Sequence, residues 1–245
     1  MPLADPSPST PPTAPAAEGA RVPVALFDLD HTLLPLDSDY AWGVFTTRIG
    51  WTDPVAFARR NDAFFADYQA GRLDVHAYVR FATEAVRVRG PQAAAQAHAR
   101  FMADVIEPAI RPAARALVAA HRARGDRVAI VTATNEFVTR PIAQALGVEA
   151  LIAVELERGP DGWITGAIRG VPSFREGKVT RVGDWLAAQG LDWDRAHVTF
   201  YSDSLNDLPL LERADVPVAT NPGDGLRQLA RQRGWRILDL FEPET

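Results

Sequence analysis

The 245-residue chain has no cysteine. That absence excludes a disulfide framework, a thiolate metal site and a cysteine nucleophile. It has only one lysine, Lys178, among 26 basic residues; the other 25 are arginine. No apolar run approaches the roughly 20 residues needed to cross a bilayer, and no basic segment followed by a continuous apolar stretch marks a secretory signal. A cytoplasmic location is the expectation. The formal net charge of -5 argues against a nucleic-acid partner, which needs a basic face. What remains is 47% hydrophobic, enough for a substantial buried core.

Residues 1–20 are rich in proline, alanine and small polar residues. They show no apolar periodicity, so a disordered tail is expected there. VPVALF (22–27) reads as a short strand. From about Ser38 to Arg124 the apolar spacing becomes helical, with Tyr40, Val44, Phe45 and Ile49 on one face and Phe57, Phe64, Phe65 and Tyr68 on another. The aromatics Trp42, Phe45, Phe64, Phe65 and Tyr68 are expected in the core of this block.

Strands and helices then alternate. RVAIVTA (127–133), HVTFYS (197–202) and VPVAT (216–220) read as strands, with helices over about 136–146 and 178–189. Segments 150–156 and 163–168, flanking a Gly-Pro-Asp-Gly turn, read as a hairpin. The pattern predicts an α/β fold: a Rossmann-like, doubly wound parallel sheet with an inserted four-helix cap. The core is expected over 21–36 and 109–245, and the cap over 37–108.

Sites in such sheets form at the carboxyl ends of strands. Here those ends carry Asp28 and Asp30, then Thr132, then Asp203 and Asp207. A lone Asp-x-Asp after a strand is usually a turn or a cap. Four carboxylates converging on one point, however, repel one another unless a cation compensates, and a hard divalent ion with oxygen ligands suits them.

FDLDHTLL, VTATN, EGKVTR and YSDSLNDLPLL, in that order, resemble the four motifs of the haloacid dehalogenase superfamily, in its phosphoserine phosphatase-like branch. The resemblance spans about residues 22–221. It implies a phosphatase acting on a small phosphorylated metabolite, with Asp28 as nucleophile and Asp30 as general acid and base. Mg2+ would be held by Asp28, the carbonyl of Asp30, and Asp203. Thr132, Lys178 and the backbone N–H groups of Leu29 and Ala133 would bind the phosphoryl group, and Asn206 and Asp207 would orient their neighbours.

The sequence departs from that branch in places. Ser202 and Ser204 replace the usual glycines, Thr-Ala-Thr-Asn stands where Ser-Gly-Gly is common, and His31 is assigned no role. Asp37, nine positions after Asp28, is the expected reader of a substrate amine, with Asp39 as a nearby alternative. Alignment on Gly71 places Ala82 where a carboxylate-binding arginine is usual, with Arg80 on a different helical face. An amine without a carboxylate suits this pattern, as does DLDHTLLPLDSDYAW, which resembles histidinol-phosphatase-like members. Histidinol phosphate is therefore preferred over phosphoserine or a broad substrate range. A dehalogenase, a silent protein-binding scaffold and a phosphotransferase are the other readings. Oligomeric state is not legible.

Overall fold

The computed structural model describes residues 21–241; the expected tail over 1–20 lies outside them. β1 (Val22–Phe27) is followed by the helices α1 (Ser38–Arg48), α2 (Pro54–Gln69), α3 (Val75–Ala82) and α4 (Glu84–Phe101). A π-helical segment (Met102–Ile106) and the short α5 (Glu107–Ala109) lead to α6 (Pro112–Ala123). Then come β2 (Arg127–Asn135), α7 (Glu136–Ala145), β3 (Ala150–Val154), β4 (Leu156–Arg158) and β5 (Ile164–Ile168). α8 (Glu176–Ala187), β6 (Ala196–Ser202), a 3-10 turn (Leu205–Asp207), α9 (Leu208–Arg213), β7 (Val216–Thr220), α10 (Asp224–Arg233) and β8 (Arg236–Leu238) complete the chain.

Six strands form one parallel sheet in the order β3-β2-β1-β6-β7-β8. The α/β, Rossmann-like expectation is met. β1 lies centrally and is buried on both faces, as its unbroken apolar run requires. Val24 and Leu26 point to one core layer and Ala25 and Phe27 to the other, following the two-residue period of a strand. The first layer is closed by α8, α9 and α10 through Val182, Leu186, Leu210, Leu211 and Leu226. The second is closed by the helical insertion, α6 and α7, through Trp42, Phe101, Ile106, Val118 and Ile142. No helix among the described residues is long and apolar enough to cross a membrane.

Asp37, Asp53 and Asp74 each cap a helix of the insertion, their side chains accepting backbone N–H groups at the starts of α1, α2 and α3. Gly90 (φ 75°, ψ 173°) breaks α4, in the left-handed region open to glycine.

Three expectations need correction. Segments 150–156 and 163–168 are not one hairpin. β3 is an edge strand of the main sheet, and only β4 pairs antiparallel with β5, because the chain leaves the sheet at Glu155. That small hairpin packs on α3 and α4 and so braces the cap. Phe65 is not a core residue, being 54% exposed, whereas its neighbour Phe64 packs on Tyr78 and Phe81. Lastly, Thr132 lies within β2 rather than after it.

Candidate active site

The sheet order sets β1 between β2 and β6, so the carboxyl ends of these three strands adjoin. Asp28 follows β1 directly, and its N–H is held by the carbonyl of Tyr201 on β6 at 2.9 Å. Leu29's carbonyl then accepts the N–H groups of Thr32, Leu33 and Leu34, closing a tight turn.

Lys178 sits near the start of α8, 2% exposed. Its Nζ donates to Asp28 Oδ1 at 2.8 Å and to Asp207 at 2.7 Å. Burial alone would favour a neutral amine, but Asp207 and Asp28 outweigh it and raise the ammonium above its ordinary value. Asp207 is also fixed by Ser202, whose hydroxyl donates to it at 2.7 Å. Burial pushes the Asp207 carboxyl up to about 6 against the pull of Lys178.

Thr32 links the remaining pair. Its Oγ1 lies 3.0 Å from Asp203 Oδ1 and 3.4 Å from Asp28 Oδ2, and it accepts the N–H of Asp203 at 3.1 Å. Burial, then Asp28 and Asp207, push Asp203 up to about 9. Three acids, Asp28, Asp203 and Asp207, thus gather around one ammonium that pairs with two of them, and the excess negative charge calls for a further cation. Among the described residues no group of three or more His, Cys, Asp or Glu side chains could hold a metal. The donors at hand are the carboxylates of Asp28 and Asp203, which Thr32 holds together. An all-oxygen set with few carboxylates fits magnesium, which keeps several of its waters.

Asp30 points the other way, toward the cap. The Ser38 N–H holds Oδ1 at 2.8 Å, and Thr134 Oγ1 donates to Oδ2 at 2.8 Å. Burial, then Asp37, push its carboxyl up to about 8. Between Val131 and Asn135 the β2–β3 register breaks, lifting Thr132–Thr134 out of the regular ladder. Thr132 Oγ1 accepts the Thr134 N–H at 3.1 Å, and its own proton is given to no residue among those described.

Asp37 and Asn206 stand somewhat apart. Asp37 Oδ1 accepts the Tyr40 N–H at 2.8 Å as the cap of α1. Asn206 Oδ1 accepts Arg175 Nη2 at 3.0 Å and Nε at 3.2 Å, and Arg175 Nη1 also donates to the Gly71 carbonyl at 3.0 Å. Together with the contact of Tyr68 Oη and Ser204 Oγ at 3.1 Å, this guanidinium ties cap to core. Thr32, Thr134 and Arg175 escaped the sequence reading. Thr32 and Thr134 stand inside the quoted motifs, two residues from a residue already singled out, and that spacing was their only signal.

The span 25–212 matches the haloacid dehalogenase-like hydrolase family. The chain belongs to that family. A histidinol-phosphatase of Neisseria meningitidis serogroup C is 40% identical to this hydrolase over 218 residues, covering 89% of this chain and 98% of the relative. A phosphoserine phosphatase of Mycobacterium tuberculosis is 31% identical over 241 residues, covering 94% and 76%. The crystal structure of a protein of unknown function from Bordetella pertussis Tohama I superposes with a TM-score of 0.85 at 50% identity, covering 91% of this chain and all of that one. A substrate-bound phosphoserine phosphatase shares the fold, with a TM-score of 0.61 at 15% identity over 90% of this chain and 93% of its own.

Proposed function

We propose that this phosphoric monoester hydrolase cleaves a small, amine-bearing phosphomonoester through an aspartyl-phosphate on Asp28, and that histidinol phosphate is its substrate. The observation that carries the chemistry is the buried Lys178, bridging Asp28 and Asp207, with Asp203 linked to Asp28 across Thr32. The preference for histidinol phosphate is supported by the 40% identical Neisseria relative.

In this reading Asp28, Asp203 and the backbone carbonyl of Asp30 would hold magnesium. When bound it offsets the negative charge of phosphate and carboxylates, so that an anionic nucleophile can approach an anionic ester. An oxygen of Asp28 attacks phosphorus, and the bond from phosphorus to the ester oxygen breaks. Asp30, facing the cap where the leaving group departs, gives its proton to that oxygen. As a carboxylate, Asp30 then takes a proton from water, whose oxygen attacks phosphorus. The Asp28–phosphorus bond breaks, the free carboxylate returns and inorganic phosphate leaves. Lys178 and Thr132 supply donors to the phosphoryl oxygens, and Lys178 keeps Asp28 aligned. Backbone N–H groups of Leu29 and Ala133 add further donors.

The test is phosphate release from histidinol phosphate and from p-nitrophenyl phosphate, with magnesium and with chelator. Asp28→Asn is expected to remain folded by circular dichroism and to lose activity on both. Full activity in Asp28→Asn, or in chelator, overturns the mechanism. Phosphoserine turned over more efficiently than histidinol phosphate overturns the substrate assignment.

A further inference from the structure

Arg175 stands at the N-cap of α8 with φ 51° and ψ -123°, in a region that side chains other than glycine rarely adopt. The turn into α8 imposes it. The Phe174 N–H donates to the Pro172 carbonyl at 2.8 Å, the Gly177 N–H to the Phe174 carbonyl at 2.9 Å and the Lys178 N–H to the Arg175 carbonyl at 3.0 Å. Gly177 packs so closely on the Pro172 carbonyl that no Cβ fits between them. A glycine at 175 would meet this turn without strain. The position carries a long side chain instead, and that side chain is held at each of its three nitrogens.

Nε and Nη2 donate to Asn206 Oδ1 at 3.2 and 3.0 Å, and Nη1 donates to the Gly71 carbonyl at 3.0 Å. The guanidinium also lies over the Phe174 ring, 5.2 Å from its centroid. Tyr68 of the cap follows, its ring centroid 6.3 Å from that of Phe174. The Tyr68 hydroxyl contacts Ser204 Oγ at 3.1 Å and lies beside Asn206, within electrostatic reach of Asp207 and Asp28. This corner therefore borders the carboxylates that Lys178 bridges. Arginine has only donors, so the Asn206 atom that meets two of its N–H groups is the carbonyl oxygen, and the amide NH2 is turned the other way. Asn206 lies in the turn between Asp203 and Asp207, and the side left to its NH2 is the one shared with Tyr68. Without the guanidinium both orientations of the amide are open, and one of them presents an oxygen to an anion.

We propose that Arg175 is a positioning residue: from its seat on the cap's Gly71 carbonyl it fixes Asn206 with the amide N–H groups toward the phosphoryl group. The inference rests on the phosphomonoester reading above and adds to it a residue that touches neither metal nor substrate. An Asn206 N–H donates to a phosphoryl oxygen in substrate and product alike, so its loss is read in binding rather than in kcat. Gly71 belongs to the same arrangement. Its φ is 71°, and a Cβ there would meet Arg175 Nη2 at 2.9 Å.

Hydrolysis of p-nitrophenyl phosphate and its inhibition by inorganic phosphate test this. Asn206→Ala is expected to raise the Ki of phosphate at least about tenfold, the loss of one charge-assisted hydrogen bond. In Arg175→Gln, Ki and KM rise about fivefold while kcat changes less than about threefold. The double variant Arg175→Gln, Asn206→Ala binds phosphate no more weakly than Asn206→Ala alone, because Arg175 acts through that amide. Arg175→Lys, which keeps the charge and a donor, recovers part of the affinity. Gly71→Ala approaches the guanidinium from the cap side: it raises Ki in the wild-type background and not in Arg175→Gln. Additive effects of Arg175→Gln and Asn206→Ala overturn the inference, since the guanidinium would then attract or touch phosphate by itself. An unchanged Ki in both Arg175→Gln and Gly71→Ala also overturns it, and either result leaves the phosphatase reading standing. Wild-type enzyme that neither hydrolyses p-nitrophenyl phosphate nor binds inorganic phosphate overturns that reading and this inference together.

Discussion

Thr134 Oγ1 donates to Asp30 Oδ2 at 2.8 Å, while the Ser38 N–H grips Oδ1 of the same carboxyl at an equal distance. One contact comes from β2 in the core, the other from the first turn of α1 in the cap. Asp30 is therefore oriented by both parts of the molecule at once. Thr134→Val keeps the shape of the side chain and removes the donor. It is expected to lower kcat about tenfold on alkyl phosphates, corresponding to one hydrogen bond of ~1.4 kcal/mol. The loss on p-nitrophenyl phosphate should be smaller, because nitrophenolate departs with little protonation. Thr134→Ser should recover most of the alkyl activity. Equal losses on both substrates would show that Thr134 does not act through Asp30.

Lys178 makes a sharper case. Arginine serves at every other basic position of this chain, yet here an ammonium sits within 2.8 Å of two buried carboxylates. A guanidinium is wider, planar and fork-shaped, so Lys178→Arg is not conservative at this position. It is expected to lose phosphatase activity at least a thousandfold. Lys178→Met leaves Asp28 and Asp207 buried without their cation, and urea unfolding should report a loss of about 3–5 kcal/mol. An arginine variant with wild-type kcat would sink the argument.

Much of this site was legible beforehand because its signals are local. A continuous apolar strand ending in Asp-x-Asp reads the same way wherever it occurs, and so does a helix opening on the one lysine of an arginine-rich chain. What was missed depends on packing. Residues 150–156 form one apolar run, and nothing in it marks Glu155 as the point where the chain passes from one sheet to another. Phe64 and Phe65 are equally apolar, but adjacent helical positions diverge by about 100°: the first is half-buried against Tyr78 and Phe81, and the second is exposed. Thr134 looks like any β-branched residue in a strand until the register break turns its hydroxyl on Asp30.

His98 offers a check on the packing of the insertion that is independent of catalysis. Its ring lies over Trp42 at 5.4 Å and edge-on to Phe101 and Phe137, and its Nε2–H donates to the Val138 carbonyl at 3.1 Å. Burial holds its pKa below the ordinary value, with that hydrogen bond opposing. The unfolded chain takes up the proton near pH 6.5, the folded chain only at lower pH. Below about 6.5 the unfolded state binds more protons, so this contribution to stability is complete above that pH and is lost as the pH falls toward the folded pKa. Asp39, pushed up to about 7 by burial and then Asp37, has the opposite slope: the folded chain keeps its proton where the unfolded chain has released it. The pH profile of the whole protein mixes both, and the difference between wild type and His98→Gln isolates one. That difference is expected to be constant from pH 8 to 7. Below 6.5 it should shrink by no more than about 1.4 kcal/mol per pH unit, the limit for one proton. Denaturant unfolding at pH 5.5, 6.5 and 7.5 measures it, and a difference that stays flat across that range would mean His98 is not buried as a neutral ring.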